Sequence, residues 1–247
     1  DLSVTFSPIS GILSAGTSYQ VRLSAALGGS LQSEDYTWGF TTAIPGLAGI
    51  EPVADATGVS TTSLEQVEVG FSAPIDAEQA VAANFLLLRN GQPVVLREND
   101  PVSLGANEYG LAPAGGWQVG STYTVQIAPG VTGPLGVDQP IVRTFQTAVP
   151  AVAIQAPEAD ASDIAITASQ FRVVFDNPVD AGAVSADNIQ LLKEGHPVAL
   201  GDPLYDASDL SVTFSPISGI LSAGTSYQVR LSAALGGSLQ SEDYTWG

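Results

Sequence analysis

The sequence predicts an all-β chain made of tandem two-sheet sandwiches, about seven strands in each. Three observations predict it. Apolar residues alternate with polar or small ones in short runs, as in Val67, Val69 and Phe71, Phe171, Val173 and Phe175, or Tyr227, Val229 and Leu231. A period of two buries one face of a strand and leaves the other wet. Glycine and proline, 26 and 16 of the 247 residues, break the chain at short intervals, as turns between short strands require. Finally, the chain repeats itself at two periods, which marks an array rather than one large fold.

The longer period is perfect. Residues Asp1 to Gly39 recur letter for letter as Asp209 to Gly247. Identity at exposed as well as buried positions implies a recent duplication or a window on a polymer of near-identical repeats. The shorter period is diverged: Phe71 and Phe175, Pro74 and Pro178, Asp76 and Asp180, Asn84 and Asn188, Gly120 and Gly224, and Tyr123 and Tyr227 all lie 104 residues apart. Two homologous domains follow, A over 44–148 and B over 149–247, with 1–43 as the C-terminal half of a preceding B domain. Domain B is expected to lack its last strand, and the parent chain is expected to continue as Phe40 to Pro45 does.

Taken in order, Val67 to Phe71 and Leu86 to Leu88 are strands, and Asn90-Gly91 before Pro93 to Leu96 is the preferred tight-hairpin dipeptide. Glu194-Gly195 takes its place in B. Asp76-Ala-Glu-Gln79 has the form of a capping box and predicts a short helical turn over 77–83. Val212 and Phe214, then Tyr227 to Leu231, are later strands. The joints, Phe40-Thr-Thr-Ala-Ile-Pro45 and Phe145-Gln-Thr-Ala-Val-Pro150, contain no glycine or serine spacer and end on a φ-locked proline. They predict stiff connections and a rod that gains on the order of 40 Å per domain.

Composition excludes several function classes. Acids outnumber bases 25 to 7, for a net charge of −18, and Lys193 is the only lysine. Such a surface repels nucleic acid and anionic lipid. No apolar run approaches the 18 or so residues of a membrane span, so no membrane insertion is expected in this segment. There is no cysteine and no methionine, which removes disulfides, thiolate metal sites and the oxidisable side chains, and suits an extracellular bacterial protein.

Residues with chemical potential are few. His196, the single histidine, lies in a hairpin and is matched by Gln92 in domain A. No serine sits in a nucleophile elbow, so no enzyme is expected. Calcium candidates are Glu158, Asp160 and Asp163 just after a joint, with Glu51 and Asp55 similarly placed in A, and Asp202, Asp206 and Asp209 in a later loop. Calcium needs six to eight oxygen ligands, which neighbouring loop acids can supply. Trp38, Trp117 and Trp246 are read first as core residues; Trp117, after Gly115-Gly116, is the one placed to stack on carbohydrate.

The ordered set Phe71-Ser-Ala-Pro-Ile-Asp76, Thr213-Phe-Ser-Pro216, Leu221-Ser-Ala-Gly-Thr-Ser-Tyr-Gln-Val229 and Trp38-Gly-Phe-Thr-Thr42 resembles the bacterial Ig-like domains of S-layer proteins and large repetitive surface adhesins. In domain A, Gly110-Leu-Ala-Pro113 replaces the second of these motifs and Arg143 stands where Trp38 does. The resemblance implies Ig-like sandwiches acting as a spacer outside the cell. The resulting expectation is a structural repeat of an extracellular filament or adhesin stalk, able to assemble with copies of itself into a fibre. The alternatives are a carbohydrate- or host-surface-binding module and a calcium-rigidified S-layer-like array.

Overall fold

The computed structural model describes residues 3–9, 13–27, 33–167, 170–219 and 221–247. The first pair of strands, β1 (Ser18–Leu23) and β2 (Tyr36–Thr41), forms an antiparallel hairpin that pairs Tyr19 with Phe40 and Val21 with Trp38. Nine strands follow in domain A: β3 (Leu47–Glu51), β4 (Ala56–Val59), β5 (Val67–Phe71), β6 (Phe85–Arg89), β7 (Gln92–Pro93), β8 (Val102–Ser103), β9 (Glu108–Leu111), β10 (Thr122–Ile127) and β11 (Ile141–Thr147). One sheet has the order β3-β5-β9-β8, the other β4-β11-β10-β6-β7, with β4 parallel to β11 and every other pairing antiparallel. This is the two-sheet Greek-key order of an Ig-like sandwich.

Domain B repeats it with β12 (Val152–Ala156), β13 (Phe171–Phe175), β14 (Ile189–Lys193), β15 (His196–Val198), β16 (Leu204–Asp206), β17 (Ser211–Phe214), β18 (Tyr227–Leu231) and β19 (Tyr244–Trp246). Its sheets are β12-β13-β17-β16 and β15-β14-β18-β19. The last of these, β19, spans three residues where its repeat counterpart β2 spans six, and it places Trp246 in the core opposite Val229.

The period-two pattern does the packing. In A, Val67, Val69 and Phe71 of one sheet face Phe85, Leu87, Tyr123, Val125 and Ile127 of the other, all buried. In B the same layer is Phe171, Val173, Phe175, Ile189, Leu191, Val212, Phe214, Val229 and Leu231. Each such side chain contributes roughly 1.5–3 kcal/mol on burial. The Asn90-Gly91 and Glu194-Gly195 hairpins close as expected, with both residues of each pair at positive φ. The helical turn expected over 77–83 is instead two 3-10 turns, Ala77–Gln79 and Ala82–Asn84, and Asp76 makes no side-chain cap. Its carboxylate is used elsewhere.

Candidate functional site, the inter-domain joint

Three loops of the same build lie at the ends of the sandwiches, just before β1, β10 and β18. Each ends in a tyrosine whose hydroxyl reaches back five residues to accept a backbone N–H: Tyr19 from Ser14 at 2.8 Å, Tyr123 from Gln118 at 2.9 Å and Tyr227 from Ser222 at 2.8 Å. A hydroxyl two residues before the tyrosine closes a second small ring, Thr17 to Ala15 O, Ser121 to Val119 O and Thr225 to Ala223 O. Between these fixed points the chain turns through a glycine at positive φ, Gly16, Gly120 and Gly224, a conformation costly for any residue bearing a Cβ.

The outgoing linker locks onto that loop. At the first joint Thr42 Oγ1 accepts from Thr17 N at 2.9 Å and donates to Ser14 O at 2.7 Å, while Gly16 N donates to Ala43 O at 2.9 Å. At the second, Thr147 Oγ1 accepts from Ser121 N at 2.9 Å and donates to Gln118 O at 2.8 Å, and Gly120 N donates to Ala148 O at 2.9 Å. The prolines that follow, Pro45 and Pro150, are buried.

The next domain then docks on the glycine. A 3-10 turn after its penultimate long strand, Pro129–Thr132 in A and Ala233–Gly236 in B, ends in Gly133 or Gly237 at positive φ. Gly16 O accepts from Leu135 N at 3.0 Å, and Gly120 O accepts from Leu239 N at 2.8 Å. The approach is backbone to backbone: a Cβ on Gly133 would lie 2.2 Å from Ala15 O, and one on Gly237 would lie 2.2 Å from Val119 O. The first joint adds Asp76 Oδ1, which accepts from Ala15 N at 2.8 Å, and the second adds Ser238 Oγ, which donates to Gly120 O at 3.0 Å. Apart from the Asp76 carboxylate, these are short-range bonds between neutral groups, which fix an angle without depending on ionic strength.

The family profile of the bacterial Ig-like domain matches residues 43–147 and again 146–246. The chain belongs to the bacterial Ig-like domain family. No curated protein sequence matches it. Among solved structures, an LD-transpeptidase, LdtMt1, in complex with imipenem is 17% identical, with 76% of this chain and 74% of that one covered and a TM-score of 0.30. The S-layer protein rSbsC is 13% identical over 76% of this chain and 23% of its own, TM-score 0.30. The N-terminal part of the S-layer protein SbsC is 14% identical over 82% and 43%, TM-score 0.31.

Within these Ig-like domains the acids singled out from sequence each have their own surroundings. Asp206 Oδ1 accepts from the N–H and hydroxyl of Ser208, and Asp209 pairs with Arg172 at 2.6 Å and accepts from Ser211 N at 3.1 Å. The Ser211 bond and the Arg172 guanidinium hold the Asp209 carboxyl below the usual carboxylate range. Asp202 is exposed. Asp160 and Asp163 occupy positive-φ turn positions, and Glu158 and Asp163 border one surface groove. Asp55 accepts from the Thr144 hydroxyl, and Glu51 lines a second groove on A. Among the described residues, no three His, Asp or Glu side chains converge in a group able to hold a metal ion.

The remaining candidates are equally local. His196 Nδ1 lies 3.1 Å from Glu194 O within its own hairpin. Trp246 is buried and donates to Pro157 O at 3.1 Å; Trp38 packs against Tyr36 and is 38% exposed. Trp117 is half-buried, edge-on to Tyr123 at 4.8 Å and Phe145 at 5.7 Å. Sequence reasoning marked the joints at Phe40 to Pro45 and Phe145 to Pro150 as stiff but missed the bonds that lock them. Gly120 and Tyr123 stand out as repeated letters, but Thr42, Thr147, Gly133 and Gly237 do not.

Proposed function

We propose that this chain is a structural repeat segment of an extracellular bacterial filament or adhesin stalk, in which alternating Ig-like domains supply reach and stiffness. The observation that carries it is the duplicated joint: glycine, tyrosine, threonine and glycine turn make the same bonds at two junctions of different sequence. A mobile linker would not need that. The acidic, cysteine-free and methionine-free composition suits a location outside the cell, and a surface of one sign keeps such segments soluble.

Electron microscopy of isolated material tests it. A thin fibre with an axial repeat on the order of 80 Å per A–B pair, from two stacked sandwiches, is the expected image. Compact globules would overturn the proposal.

A further inference from the structure

The two outer faces of domain A differ sharply in charge. On the four-stranded sheet, Glu51, Glu68 and Glu108 all point to solvent, with Glu51 directly opposite Glu68. The five-stranded sheet carries no charge on the outer face of its three central strands. In β10 the buried residues are Tyr123, Val125 and Ile127, so Thr122, Thr124 and Gln126 face outward. Pairing sets Gln126 between Val142 of β11 and Leu86 of β6, and Thr124 between Thr144 and Leu88. Leu86 and Val142 are 38% and 41% exposed, and Val95, two residues beyond β7, is 78% exposed. At the rim, the Asp55 carboxylate accepts from the Thr144 hydroxyl at 2.8 Å. The fold does not demand this surface. In domain B the row equivalent to Val142, Gln126 and Leu86 is Thr245, Arg230 and Gln190, and Arg230 pairs with Asp243 at 2.6 Å.

We infer that this uncharged face of domain A is the lateral contact between neighbouring chains, and that its occupant is the same face of a second copy. The inference rests on the stalk reading above and names the surface through which stalks meet. Charge selects the partner. A cationic partner would be drawn to the Glu51, Glu68 and Glu108 side, whereas a second copy with a net charge of −18 meets least repulsion here. A two-fold rotation lays the Leu86 and Val142 band of one copy on that of the other, an isologous contact, and turns both glutamate faces away. Size agrees with a repetitive chain. Five strands about 4.8 Å apart and six residues of about 3.4 Å give roughly 500 Å² per partner, short of the 800 Å² or so of a stable isolated pair. One such contact is weak, but an array that presents it once per A–B unit multiplies it.

The chain has no cysteine, so one introduced thiol is a unique handle for the test. Thr124→Cys lies mid-strand in β10, opposite Leu88; Gln228→Cys is its counterpart in domain B, opposite Leu192. Each 247-residue variant is treated with a bis-maleimide of roughly 10 Å span, the spacing of packed sheets. The reaction is run in about 1 M sodium chloride, where charges are screened beyond about 3 Å. Covalent dimers of Thr124→Cys are expected to form about tenfold faster than those of Gln228→Cys. Adding Leu86→Glu to the Thr124→Cys chain should bring its rate down to that of the control. The comparison with Gln228→Cys keeps the test decisive if the glutamate disturbs the sheet. Equal rates for the two cysteines, as expected if the face serves another partner or none, would overturn the inference. Thin fibres together with equal rates would keep the stalk and remove this contact. Compact globules by microscopy would instead remove the stalk and leave a fast Thr124→Cys dimer standing, so the two proposals fail separately.

Discussion

Thr147 shows how much a single side chain contributes to the joint. It is buried, accepts from Ser121 N and donates to Gln118 O, and so satisfies two backbone groups of a loop that has no sheet partner. Thr147→Val keeps the shape and leaves the Ser121 N–H enclosed without this acceptor. A loss of about 1–3 kcal/mol from domain A is expected, the range for an unsatisfied buried group, read from urea midpoints at unchanged m-value. Asp243 works through charge instead. Its carboxylate accepts from Ala233 N at 2.8 Å and pairs with Arg230 at 2.6 Å, and these hold it below its ordinary value. A depressed folded pKa contributes stability above the unfolded value of about 3.9 and loses it as pH falls through the folded one. Asp243→Asn should therefore be less stable than the parent at pH 7, and the two unfolding curves should converge below about pH 4. A gap that persists in acid would show that the carboxylate's charge is not what matters.

At the scale of elements, the glycine turn after the 3-10 segment is the part that orients one sandwich on the next. Gly237→Val places a branched side chain where a Cβ alone would sit 2.2 Å from Val119 O, at a φ of +75°. The turn lies at the domain's end, outside both sheets, so domain B should keep its core while the joint opens. Spin labels on A and B should give one narrow distance distribution in the parent and a broad one in the variant; an unchanged distribution would remove the turn from its role. The sandwich was legible in the letters because burial writes period two directly into a strand, as at Val67, Val69 and Phe71. The joints were legible as stiff, proline-ended connections, but their locking bonds were not, for physical reasons. One extra residue between β10 and β11 moves Arg143 to 105 rather than 104 positions from Trp38, so Thr42 and Thr147 fall out of the register that reveals the other matches. The docking turns read Val-Thr-Gly-Pro-Leu135 and Leu-Gly-Gly-Ser-Leu239, alike only in the glycine and leucine, since a backbone contact constrains little else. Asp76 has the letters of a cap, yet its acceptor is taken by Ala15 N of the preceding segment, a competition no local pattern records.

For the whole molecule, the joints and the charge act on different axes. The joints make neutral bonds along the chain, whereas the net charge of −18 acts sideways between neighbouring chains. At neutral pH that charge opposes lateral packing over roughly a Debye length, about 8 Å at physiological ionic strength. Protonation of the carboxylates removes it near the isoelectric point of about 4.1. Chains whose axial joints are indifferent to charge should then associate side by side without shortening. Light scattering should rise steeply as pH approaches 4 and, at neutral pH, more gradually with added salt, while the axial repeat seen by microscopy stays constant. A repeat that changed with salt would mean that the joints are electrostatic after all. That outcome would contradict the glycine clasp, in which every bond described, apart from the Asp76 acceptor, is made between uncharged groups.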